Sequence, residues 1–162
     1  MSRFIAATGI LLAVTAALVG CTEEEEPKPQ WTEESAYAAA EETFRAYWKV
    51  SLAGDRTTEA TYVTGDMLEI YETNDDGQDI TKEARGDASI QSFDGQEFRL
   101  VRDIAVVEAL ACIDASTYEL RSEDGSWYQP REEPKYGVAL RFSSVDSKML
   151  VDDLKIDESA TC

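Results

Sequence analysis

The chain has 162 residues, with 15 Lys and Arg against 33 Asp and Glu, no histidine, and a formal net charge of −18 at pH 7. That balance disfavours a nucleic-acid partner, which needs a basic footprint, and anionic lipid headgroups for the same reason, so no nucleic acid is expected. Without imidazole there is no Ser-His-Asp or Cys-His hydrolase and no His-ligated zinc or iron, and the glycines fall singly with no phosphate-cradling loop, so no cofactor is expected.

Along the chain, Arg3 is the one charge within residues 1–20, and residues 4–19 are an apolar run broken by Thr8, Gly9 and Thr15. This length suits the apolar region of a signal peptide and is short for a membrane span. Leu18-Val19-Gly20-Cys21 resembles a lipobox, in which the Cys thiol is diacylglycerated and the chain is cut just before it. An ordinary secretory signal and a single-pass anchor are the other readings of the same run. Acylation at Cys21 implies a protein held on the extracytoplasmic face of a bacterial membrane, at about 0.8 kcal/mol per buried methylene. The chain from Cys21 onwards then carries a formal charge of −19.

Thr22-Glu-Glu-Glu-Glu-Pro-Lys-Pro-Gln30 has no apolar side chain besides proline. Like charges and proline favour extended chain, so residues 21–30 are read as the lipidated Cys and a tether reaching about 30 Å. A polyacidic tail for a basic partner or a cation is the alternative.

Residues 31–162 have the composition of one globular domain. Thr32 followed by Glu33, Glu34 and Ser35 predicts a helix start, with a hydroxyl to cap free amides and acids at the positive end of the dipole. Tyr37, Ala40, Phe44, Tyr47, Trp48 and Leu52 recur at helical spacing up to Gly54. That stripe lines either a core or a ligand cavity. Shorter helices are expected at 57–63 and 65–71, with Tyr62, Met67, Leu68, Ile70 and Tyr71 as packing residues.

Residues 72–83 place Glu72, Asn74, Asp76, Gly77 and Glu83 at places one, three, five, six and twelve of an EF-hand-like calcium loop. Glu72 stands where Asp is usual, Asp79 occupies the usual apolar place, and no exiting helix is evident, so an acidic turn accounts for the same residues.

From residue 88 the pattern turns to strands, at 88–93, 98–101, 104–115, 117–121, 136–143 and 148–156, with Asp94-Gly95 and Asp124-Gly125 as turn dipeptides. Tyr136, Val138, Leu140 and Phe142 alternate with Gly137, Ala139, Arg141 and Ser143. Helices followed by an antiparallel meander predict an α+β fold, the long helix laid on a curved sheet.

This order of elements resembles the NTF2-like, or SnoaL-like, cone found in small lipoproteins of actinobacteria. The residues behind the resemblance are the helix ending in Leu52-Ala53-Gly54-Asp55, the closing segment 150–156, and Ala111-Cys112-Ile113-Asp114 paired with a C-terminal Cys. The superfamily includes isomerases, dehydratases, cyclases and many non-catalytic members, so the resemblance implies shape and leaves chemistry open.

With Cys21 consumed by lipid, Cys112 and Cys162 remain as an even pair in an oxidising compartment, where a disulfide is the default. Closing a loop of about 50 residues stabilises by about 4 kcal/mol in the chain-entropy model. A reactive thiol would need a base or cationic neighbours that this chain does not obviously supply.

Members of the resembled family use a buried Asp as general base, and the strand carboxylates Glu108 and Asp114 are the candidates for that role here. Burial would raise either pKa towards neutrality, as a base requires. The competing reading is a solvated rim acid paired with Arg99, Arg102 or Arg141.

Two functions follow. One is a non-catalytic envelope lipoprotein binding a small ligand or a protein, the exposed end near Trp127, Tyr128 and Pro130 being the place for a protein contact. The other is an envelope isomerase or dehydratase using a buried acid. A deep cavity holding Glu108 or Asp114 favours the enzyme, and an interior filled by Phe44, Trp48, Tyr62 and Phe142 favours the binding module.

Overall fold

The computed structural model describes residues 31–73, 83–157, 159–160 and 162. Residues 1–30, with the Cys21 site and the tether, lie outside the described residues, as do Asn74 and Asp76 of the calcium-loop reading.

Helix α1 (Glu33–Leu52) starts where the hydroxyls and acids predict. Thr32 Oγ1 accepts from the Ser35 amide and Ser35 Oγ accepts from the Thr32 amide, a reciprocal cap that satisfies two donors otherwise left free. Its buried face is Ala36, Ala40, Phe44 and Tyr47. Small alanines at the N-terminal half let the helix approach the sheet closely. The segment expected at 57–63 forms α2 (Arg56–Glu59), capped by Asp55, and a single 3-10 turn (Ala60–Tyr62). Helix α3 (Gly65–Thr73) follows.

The strands are β1 (Ala84–Arg85), β2 (Ser89–Val101), β3 (Ile104–Asp114), β4 (Glu119–Arg121), β5 (Trp127–Tyr128), β6 (Lys135–Val145) and β7 (Lys148–Asp157). The main sheet has the order β2-β3-β6-β7, antiparallel throughout, and a small sheet has the order β1-β4-β5. Helices packed on antiparallel sheets make this an α+β fold, as the element order predicts.

One face of the main sheet meets α1. Along β3 the odd positions Ala105, Val107, Ala109, Ala111 and Ile113 are buried, while Val106, Glu108, Leu110, Cys112 and Asp114 lie on the opposite, partly exposed face. Phe44, Phe142, Ile113, Val107, Val138, Met149 and Val151 are the large side chains fully removed from water. Each such burial contributes about 1.5–3 kcal/mol. Phe93 joins the two core phenylalanines, its ring centroid 6.3 Å from Phe44 and 6.0 Å from Phe142.

Two expectations are corrected. Asp94-Gly95 is not a turn between two strands; β2 runs continuously through it, with register shifts at Ile90/Ser92 and Gly95/Glu97. Gly95 is needed because the Tyr37 ring lies on it, and a Cβ there would sit 2.5 Å from Tyr37 Cδ1. The strand expected at 117–121 shortens to β4, because Thr117 instead exchanges hydrogen bonds with the Asp87 backbone. Asp124-Gly125 is a turn as expected, Ser122 N donating to Ser126 O at 2.8 Å.

Cys112 and Cys162 are bonded, with a Cα–Cα separation of 5.6 Å. The C-terminal tail crosses β6 at Gly137, where a Cβ would come within 2.3 Å of Ala160 Cβ. Gly137 is also the register partner of Cys112, so the missing side chain makes room for the tail beside the bond.

Candidate ligand-binding cleft

The sheet places neither strand carboxylate against the helical face. Glu108 sits on the outer face, 2.7 Å from Arg99, bordering an open groove with Arg141, Asp153 and Lys155. Asp114, on the same face, accepts from the Ser116 hydroxyl and amide and lies 3.0 Å from Lys135. Those contacts, the Ser116 hydroxyl first, hold the Asp114 carboxyl down at about 2. The burial that a general base would need is absent for both, because alternation along β3 turns even-numbered side chains away from the buried face. Of the calcium-loop candidates that are described, Glu72 is exposed near the end of α3 and Glu83 accepts from Arg121. Among the described residues no cluster of three or more acidic, Cys or His ligands forms.

The buried acid is one that sequence reasoning missed. Glu59, 6% exposed, accepts a 2.7 Å hydrogen bond from Tyr71 Oη, which shares a 3.2 Å bond with Tyr47 Oη. The Arg56 guanidinium lies 5.1 Å from the Tyr71 ring centroid. Burial and these partners push the Tyr71 phenol far above its ordinary value. The cluster ties α1, α2 and α3 together, and no sequence spacing announces it.

A cleft opens instead where the C-terminal half of α1 meets the near ends of β2 and β3. Trp48, Leu52, Ala88, Ala115, Tyr118 and Tyr136 form its apolar wall, closed by Pro130, Arg131 and Pro134, and its volume is about 210 Å³. Trp48 is fixed as a wall by its indole N–H, which donates to Ala88 O at 2.7 Å. The strap 129–134 is pinned at both ends. Gln129 Nε2 donates to Ser116 O at 2.7 Å and Ala115 N donates to Pro134 O at 2.8 Å. Two prolines stiffen the strap between those bonds.

Arg131 stands in the middle of the strap, its Cζ 4.6 Å from the Tyr136 ring centroid. Its Nε is buried with no hydrogen-bond partner, the one such side-chain atom among the described residues. Leaving a buried donor unmade costs about 1–3 kcal/mol, and more for a charged group. Burial pushes the Tyr118 and Tyr136 phenols up, so both are neutral donors at physiological pH. A second, open basin of about 570 Å³ shares Pro130, Arg131 and Tyr136 with the cleft and is edged by Glu132, Glu133 and Lys135.

Of the expected contact residues, Pro130 lines the cleft and Tyr128 stays at the surface. Trp127 is half-buried, with the Arg85 and Arg121 guanidiniums 4.5 and 5.9 Å from its ring centroid. Trp48 and Leu52 belong to the predicted helical stripe, whereas Arg131 carries no motif beyond its place between two prolines.

No helix among the described residues is long and apolar enough to cross a membrane. No family model, curated protein or solved structure matches the chain.

Proposed function

We propose that this chain is a lipid-anchored extracytoplasmic protein whose domain is a non-catalytic binding module, with the cleft beside Trp48 as its ligand site and an NTF2-like cone as its architecture. The cone reading is supported by one long N-terminal helix packed across a four-stranded antiparallel sheet, with short helices after it. The anchor reading is supported by the apolar run ending in Leu18-Val19-Gly20-Cys21 and by the acidic tract behind it.

The observation that carries binding over catalysis is the lining of the cleft: aromatic, aliphatic and proline side chains with Ser51, Gln129 and one guanidinium, and no carboxylate or thiol among them. The interior beneath α1 is filled by Phe44, Phe93 and Phe142, with Trp48 and Tyr62 packed against that core, and Glu108 and Asp114 are ion-paired on the far face.

The test is native mass spectrometry of the protein purified from membranes of a bacterial host. The wild type is expected to carry a releasable small-molecule adduct that Trp48→Ala, which removes the cleft wall, does not retain. Equal adducts on both, or turnover of a bound compound abolished by Glu108→Gln or Asp114→Asn, would contradict the binding-module reading.

A further inference from the structure

Arg131 is not short of acidic neighbours. Glu132 and Glu133 follow it directly, and Arg45, Arg85, Arg99, Arg121 and Arg141 each pair with a carboxylate, yet Arg131 forms no salt bridge among the described residues. It is held in place by stacking on Tyr136 and by the pinned, proline-bracketed strap. A guanidinium oriented by an aromatic ring, with a buried donor unpaired at the wall of an apolar cavity, is complementary to a planar anion joined to an apolar body.

We propose that the cleft takes a small organic monocarboxylate, its carboxylate on Arg131 and its compact apolar body among Trp48, Leu52, Tyr118 and Tyr136. This rests on the reading of the domain as a binding module and names the ligand class. The cavity, about 210 Å³, lies below the range of about 300–1,000 Å³ usual for drug-sized ligands, which restricts the body to roughly a single ring or a short branched chain. A doubly charged head is disfavoured, because Glu132 and Glu133 edge the basin on the other side of Arg131 and the whole chain is strongly acidic.

The test is an NMR titration of the three tryptophan indole N–H signals of the full lipidated chain in detergent micelles. The probes are benzoate, benzamide and inorganic phosphate. Benzoate is expected to shift the Trp48 signal saturably while Trp31 and Trp127 stay fixed, with benzamide and phosphate each at least about tenfold weaker. Arg131→Gln should weaken benzoate at least tenfold and leave benzamide unchanged, and Arg131→Lys should recover only part of the loss, since an ammonium lacks the planar fork.

A second readout separates recognition from structure. Removing a guanidinium whose buried Nε has no partner should leave the midpoint of thermal unfolding of Arg131→Met equal to or above that of the wild type. A lowered midpoint would make Arg131 a structural plate on Tyr136 and overturn the proposal. Equal binding of benzoate and benzamide would also overturn it while leaving a neutral-ligand module intact, as would phosphate binding as tightly as benzoate. Failure of both aromatic probes to shift Trp48 would overturn the ligand class, and the adduct experiment on Trp48→Ala decides the binding module separately.

Discussion

Glu59 and Tyr71 show how a carboxylate can be buried in this acidic chain with a hydrogen-bond partner. The phenol that donates to Glu59 is held neutral, and Tyr47 completes the chain of hydroxyls, so the acid is satisfied within the core. Tyr71→Phe removes a hydrogen bond to a buried acid and is expected to cost about 2 kcal/mol in urea unfolding, with Glu59→Gln costing less because an acceptor remains. A loss below about 0.5 kcal/mol for Tyr71→Phe would show that the cluster is solvated. Asp114 is the opposite case, exposed enough to keep its charge and held by Ser116 and Lys135. Its folded pKa lies below the unfolded value, so its stabilising effect is present above about pH 4 and is lost as pH falls through about 2. An NMR titration should find the Asp114 carboxyl midpoint near 2. A midpoint at 5 or higher would restore it as a candidate base.

At the scale of elements, the hairpin joining β2 to β3 is closed by Arg102 and Asp103, both in the left-handed region with φ of 53° and 42°. Two-residue hairpins of this kind favour Asn-Gly, and side chains other than Gly pay for positive φ. Replacing the pair by Arg102→Asn with Asp103→Gly is expected to raise stability by about 1 kcal/mol, measured by chemical denaturation. A loss would mean that the Arg102 or Asp103 side chain contributes contacts that outweigh the strain. This hairpin also shows what the sequence leaves unsaid. Helix α1 was legible to within a residue or two because its cap, its acids and its apolar spacing all agree. Asp94-Gly95 misled because the same dipeptide suits a turn and a bulge, and only the Tyr37 ring lying on Gly95 decides between them. Arg102-Asp103 went unnoticed because neither residue is a usual signal for the turn they make. The cleft was half legible: Trp48 and Leu52 stand in the predicted stripe, but Ala88, Tyr118, Arg131 and Tyr136 meet only through the pairing of strands distant in sequence. Glu108 and Asp114 had the right residue type on the wrong face, and with apolar residues on both faces of β3 periodicity does not say which face is covered.

For the whole molecule, the Cys112–Cys162 bond ties the C-terminal tail to the main sheet, the tail filling the space left by Gly137. With the cysteines 50 positions apart in sequence, its reduction is expected to lower stability by about 4 kcal/mol in the chain-entropy model, read as a shift in the urea midpoint under reducing conditions. No shift would show that the tail closes without the bond. The proposed export route would permit this bond and would also bring Leu18-Val19-Gly20-Cys21 to the machinery that acylates lipoproteins, so the proposed anchor and the disulfide belong to one account of where the domain works. The intact mass of the protein purified from membranes of a bacterial host, recorded with and without reduction, tests both together. The account predicts a chain beginning at Cys21, carrying a diacyl or triacyl adduct and gaining two hydrogens on reduction. An unlipidated chain, or free thiols at Cys112 and Cys162 before reduction, would contradict it.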